Sequence, residues 1–287
     1  MISPQQPAAG RGQARRRNLI AGGSIAAVLA IVAGFIIVHS LGGAPAVATT
    51  PAGSHSSASS VVQEIADVPA ATLDQVAAGG VYPHAIQTIR PTGPLLVADR
   101  KPEVVFVGAQ YCPYCAAERW ALAVALSRFG AFSGLQLIRS SSTDVYPNTA
   151  TLSFYRSSYS SKRLVFVSTE VATDNPQVAL QPLTALDKTV MRKYDAPPYL
   201  PAADSPSFPF VDFGNKYVID GASYSPQVLA GLTWRQIGAD LANPASPVAK
   251  GIDGAANHII AAICRLTNGQ PGAVCSSTGV TAIGGSI

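Results

Sequence analysis

The sequence predicts an α/β protein: a central mixed sheet flanked by helices, with N- and C-terminal extensions, preceded by a single transmembrane helix. Three observations predict it. Residues 104–107 (VVFV) are β-branched and aromatic and stop at Gly108, while helix formers dominate from Ala116, so a buried strand leads into a helix. Residues 207–219 set Pro209 at the mouth of an apolar strand, then turn through Gly214, Asn215 and Lys216 into a second strand. Residues 19–38 carry no charge at all.

The 287-residue chain is 48% hydrophobic and 13% charged, ample for a core. Arg11, Arg15, Arg16 and Arg17 precede the first acid, Glu64, so the formal charge of +4 belongs to the N-terminus. The rest of the chain is formally neutral and offers no basic surface for a nucleic-acid partner. Residues 1–17 read as a cytoplasmic basic tail and 18–39 as the transmembrane helix, since twenty apolar residues at about 1.5 Å each cross a bilayer core of about 30 Å. Arginines before the span and none soon after it put the remainder outside the cell. The same residues also admit cleavage after Ala46-Val47-Ala48, or twin-arginine export through Arg16-Arg17. Residues 40–60, small and polar, read as a flexible linker, and 61–287 as the extracytoplasmic domain.

Within that domain a helix opens at Pro69 and stops at Gly79-Gly80, with a short strand near residues 85–89. Residues 95–97 and 104–107 read as neighbouring strands around a polar turn at 99–102. Residues 135–138 alternate as a strand expected to lie parallel to 104–107, because a helix separates the two. Extended segments at 151–155 and 163–168 follow, then a helix over 180–194 ended by Pro197-Pro198. Ser225 and Pro226 cap a helix expected to run to residue 241, and the tail from Asn243 holds Cys264 and Cys275.

The chemistry is expected at Cys112-Pro113-Tyr114-Cys115, where the strand becomes the helix. Cysteines three apart on a first helical turn can interchange dithiol and disulfide with little backbone motion. The free N–H groups at the helix start favour a thiolate, so Cys112 is the candidate nucleophile and Cys115 the resolving thiol. An inert disulfide in a binding domain uses the same residues. Zinc fits poorly, because Cys264 and Cys275 lie too far apart to complete a four-ligand set even with His258. Those two cysteines read as a structural disulfide, with a second redox pair as the alternative. No phosphate loop or dinucleotide fingerprint is present, and a redox cysteine pair needs no cofactor.

Strand, Cys-Pro-x-Cys helix, strand, helix, proline, hairpin and final helix is an order that resembles the thioredoxin-like superfamily, over roughly residues 103–243. GAQYCPYCAAERWALAVALSRFG and SFPFVDFGNKY together resemble an uncharacterised actinobacterial and archaeal family of membrane-anchored thioredoxin-fold proteins. Cys-Pro-Tyr-Cys is also similar to the motif of glutaredoxins and Dsb-type enzymes. The resemblance implies a cis-proline beside the reactive cysteine, here Phe208-Pro209, whose backbone docks a substrate segment. It implies a membrane-tethered thiol-disulfide oxidoreductase acting on exported cysteine-containing proteins, reset by a membrane or secreted redox partner. The alternative is a non-catalytic thioredoxin-fold binding module. The sequence departs from the pattern in two places: residues 104–107 lack the usual buried acid, so that taking the proton from Cys115 needs water or another group, with Glu118 on the same helix as one candidate, and Phe208 is bulkier than the common Thr or Val.

Overall fold

The computed structural model describes residues 54–285 and 287. They run as helices α1 (Ser54–Ala66) and α2 (Ala70–Val76), strands β1 (Gln87–Thr88), β2 (Val97–Ala98) and β3 (Lys101–Gly108), and helix α3 (Pro113–Leu126). Strands β4 (Gly130–Ser133), β5 (Gln136–Arg139), β6 (Ala150–Ser153), β7 (Ser158–Ser161) and β8 (Val165–Glu170) precede α4 (Ala185–Tyr194). The hairpin β9 (Phe210–Phe213) and β10 (Tyr217–Asp220) leads to a 3-10 turn (Pro226–Leu229) and helices α5 (Trp234–Leu241), α6 (Pro247–Leu266), α7 (Gly272–Cys275) and α8 (Thr278–Ile283).

β3 is central because its apolar residues serve both faces of the sheet. Val104 and Phe106 join one core with α3 and α6, while Val105 and Val107 join another with Val190 and Met191 of α4. Strands buried on both sides read as continuous apolar runs, which is why residues 104–107 show no alternation. β3 pairs in parallel with β8 and antiparallel with β9, and the hairpin continues through β10 to β1. Gly214 and Asn215 both take positive φ at the hairpin turn, as a tight reversal between twisted strands demands. The result is a central mixed sheet flanked by helices, consistent with a thioredoxin-like fold.

Several expectations need correction. β5 does not lie beside β3; it pairs antiparallel with β6 in a separate two-stranded sheet, and β8 takes the parallel place. The helix expected over 180–194 begins only at Ala185, where Thr184 and Asp187 form a capping box. The helix expected over 225–241 breaks after Leu229 and restarts at Trp234 behind a second capping box, Thr233 with Gln236. From Ser54 the expected linker is helical, and α1 sends Val61 and Ile65 into the core. The tail from Asn243 contains the longest described helix, α6, which packs Ile252, Ile259, Ile260 and Ile263 behind α3. Its Gly254 lets the backbone approach Gly79: a Cβ there would stand 2.8 Å from the Gly79 Cα. Asn257 of α6 donates to the Leu73 and Ala77 carbonyls, satisfying the end of α2.

The transmembrane helix is the largest correction. Among the described residues no helix is long and apolar enough to cross a membrane. Residues 1–17, 18–39 and most of 40–60 lie outside the described residues. The single-pass topology, the extracytoplasmic placement and the membrane-side partners expected from it therefore have no structural support.

Candidate functional site

Cys112 is the N-cap of α3. Its sulfur accepts a hydrogen bond from the Cys115 N–H at 3.2 Å, and Pro113 occupies the first turn, where a missing N–H costs nothing. The Cys112 thiol faces the Phe208 carbonyl at 3.6 Å, and the Phe208-Pro209 peptide is cis. Both cysteines are free thiols; Cys115 is wholly buried, and Cys112 retains 7% exposure. The structure thus brings Cys112, Cys115 and Phe208 together, with Tyr111, Val171 and Ala172 packed around them.

The two thiols differ electrostatically. The hydrogen bond from the Cys115 thiol pulls Cys112 below the ordinary thiol range against the cost of burial, helped by the Cys115 N–H and the charge of Arg119. Burial, followed by that same hydrogen bond and the neighbouring thiolate, pushes Cys115 well above it. Cys112 therefore gives up its proton more readily than Cys115.

Arg119 was invisible as a site residue in the sequence, although its spacing of four from Cys115 places the two on one helical face. It is fully buried, donates through Nη2 to the Ala109 carbonyl at 2.6 Å, and its Nε lies 3.1 Å from Oε1 of the equally buried Glu170. Glu170, at the end of β8, also accepts from the Phe154 N–H and the Ser153 hydroxyl, and Ser153 accepts from Gln110 two residues before Cys112. The apolar stretch 104–107 therefore lacks an acid, but a neighbouring strand brings one, already paired with a cation.

Glu118 lies one turn on from Cys115 and is fully buried. Both its oxygens accept from Ser223, and burial raises its pKa to about 7. Asp195, also missed, accepts the Ser207 N–H on both oxygens, while the Ser205 hydroxyl bonds its carbonyl; this positions the segment leading to Pro209. Cys264 and Cys275 form a disulfide between α6 and α7, a separate structural feature. Among the described residues no three His, Cys, Asp or Glu side chains converge as metal ligands would.

A family model described as Domain of unknown function (DUF929) matches residues 93–265, more than half of the chain. The chain belongs to this family. No curated protein and no solved structure is similar enough to match. The match starts at Gly93, beyond residues 18–39, and its description carries neither a membrane anchor, nor an organism group, nor a Cys-Pro-Tyr-Cys signature. This corrects the resemblance to a membrane-anchored actinobacterial and archaeal family. The expected membrane-tethered oxidoreductase of exported proteins falls with it, since among the described residues no span supports the tether. What stands is a thioredoxin-like topology, shared by oxidoreductases and non-catalytic members alike.

Proposed function

We propose that this domain is a thioredoxin-fold module that binds an extended polypeptide segment along Phe208-Pro209, beside Cys112. The observation that carries the reading is the meeting of the half-buried Phe208, at the mouth of β9, with the Cys112 sulfur 3.6 Å from its carbonyl. Backbone at such a strand mouth can pair with an added extended chain, which gives affinity without requiring one side-chain sequence. Asp195 supports the reading by fixing the approach through Ser205 and Ser207. A second reading, thiol-disulfide exchange, is favoured by one observation: two free thiols stand one helical turn apart, with the Cys112 sulfur at the N-cap accepting the Cys115 N–H at 3.2 Å. In that chemistry the Cys112 thiolate attacks a substrate disulfide, forms a mixed disulfide and expels the other sulfur as a thiolate. Cys115 then gives up its proton and attacks Cys112, closing the pair and passing two electrons to the substrate.

One experiment separates the two. An extended peptide bearing a cysteine capped by a small thiol is titrated against the full chain, its Phe208→Ala variant and its Cys115→Ser variant. A binding module associates reversibly, weakens about tenfold or more in Phe208→Ala, and gives no adduct in Cys115→Ser. Exchange chemistry instead leaves a covalent Cys112-peptide adduct in Cys115→Ser by mass spectrometry. Equal affinity in wild type and Phe208→Ala would remove the docking reading.

A further inference from the structure

The surface around Cys112 is built from tyrosine and acid. Tyr114, two residues on, is 39% exposed, and Tyr82 and Val145 are among the few other large apolar side chains that face solvent. Tyr146 meets Tyr114 edge-on with ring centroids 6.0 Å apart. The loop carrying Asp144 and Tyr146 is tied to the site, because the Ser141 N–H donates to the Tyr111 carbonyl at 2.9 Å. Asn148 closes the same loop by donating back to Ser141 at 2.9 Å. Tyr82 is fixed from the other side through its N–H on the Ser223 carbonyl.

Outside the buried Arg119, which is paired with Glu170, the charges that act on the phenols of this rim are negative. Burial first, then Cys112, Cys115 and Asp144, raise the Tyr111 phenol; Tyr114 is raised by burial, then by Tyr146, Tyr82, Asp144 and Cys112. Arg139, which bonds the Asn148 carbonyl in the same loop, is occupied over the Trp234 ring at 4.3 Å. Exposed aromatic faces grouped with a carboxylate attract a guanidinium or ammonium, whereas an acidic side chain is repelled and an aliphatic one gains only burial.

We propose that this rim receives the arginine or lysine side chain of an extended segment whose backbone lies along Phe208 beside Cys112. The proposal rests on the docking reading and adds the class of partner: polypeptide carrying a basic residue next to the docked position. Tyr114 and Tyr146 supply the ring faces, and Asp144 supplies the counter-charge.

The test uses small probes that do not need the docking edge. Full-length protein with Cys115→Ser reacts with methanethiosulfonates carrying a trimethylammonium, a methyl or a sulfonate group. In each case the Cys112 thiolate forms the new S–S bond and methanesulfinate leaves with the charge. Rates are divided by those of the same protein unfolded in denaturant, which removes the intrinsic reactivity of each reagent and the thiolate's own charge. The cationic reagent should then exceed the anionic one by about tenfold. Asp144→Asn and Tyr114→Leu, both at the surface, should together bring that ratio to within about twofold of unity. A ratio near one in the parent protein, or a ratio that neither substitution lowers, would overturn the proposal. Loss of the docking reading would appear instead as Phe208-independent peptide affinity, with these ratios unmoved.

Discussion

Arg119 holds two positions together at once: its charge acts on both thiols, and its guanidinium is the only cation in contact with Glu170 among the described residues. Replacing it with methionine leaves the Glu170 carboxylate buried without its cation and the Ala109 carbonyl without its side-chain donor. Breaking a buried pair from one side costs about 3–5 kcal/mol, so Arg119→Met should unfold at markedly lower urea concentration. The double variant Arg119→Met with Glu170→Leu should recover part of that loss. In both variants the pH profile of Cys112 alkylation should move to higher pH, because the charge that lowers the thiol is gone. An unmoved profile alongside lost stability would make Arg119 a structural residue only. Cys112, Cys115 and Phe208 were readable because each sits in a local pattern of strand, turn and helix. The Arg119–Glu170 pair was not, because Glu170 reaches the site through the parallel pairing of β8 with β3, which no local pattern specifies.

At the scale of elements, the same division holds. β3, the β9-β10 hairpin and the Ser225 cap carry their own signals in composition and turn residues. The place of β5 depends on which strand wins the edge of β3, and that is decided by tertiary packing. α6 escaped because two glycines and a buried Asp253 interrupt its apolar pattern, and small residues read as a tail. Those small residues are what allow the helix to lie against its neighbours. Gly254→Ala should gain about 1 kcal/mol of helix propensity and lose more, since its Cβ would meet the Gly79 Cα at 2.8 Å and the Ala78 carbonyl at 2.9 Å. A net destabilisation of about 1–3 kcal/mol is expected in urea titration; a more stable variant would mean that the contact yields freely.

Across the whole molecule, buried acids set the response to pH. Burial raises Glu118, Asp212 and Asp220 to about 7 and Asp253 to about 8, with Asp253 facing Arg128, and Asp212 facing Glu103 and Lys193. Each binds its proton more tightly folded than unfolded. Their contribution is complete below the unfolded pKa near 4, declines as pH rises, and is lost once pH passes about 8. His258, lowered by burial, acts in the opposite sense below about pH 6.5. The thermal midpoint should therefore fall between about pH 6 and pH 8.5, and Asp253→Asn should flatten that slope; a midpoint that rises over this range would contradict the burial of these groups.

From Pro113 to Leu126 every residue of α3 is shielded by the sheet, α6 and the loops, except Tyr114. Considered as a route, α3 is a rod sealed along its length with a single window at one end. Tyr114 stands at that window two residues from the partly exposed Cys112, so changing its size or polarity alters the surroundings of the accessible sulfur without disturbing the wall behind it.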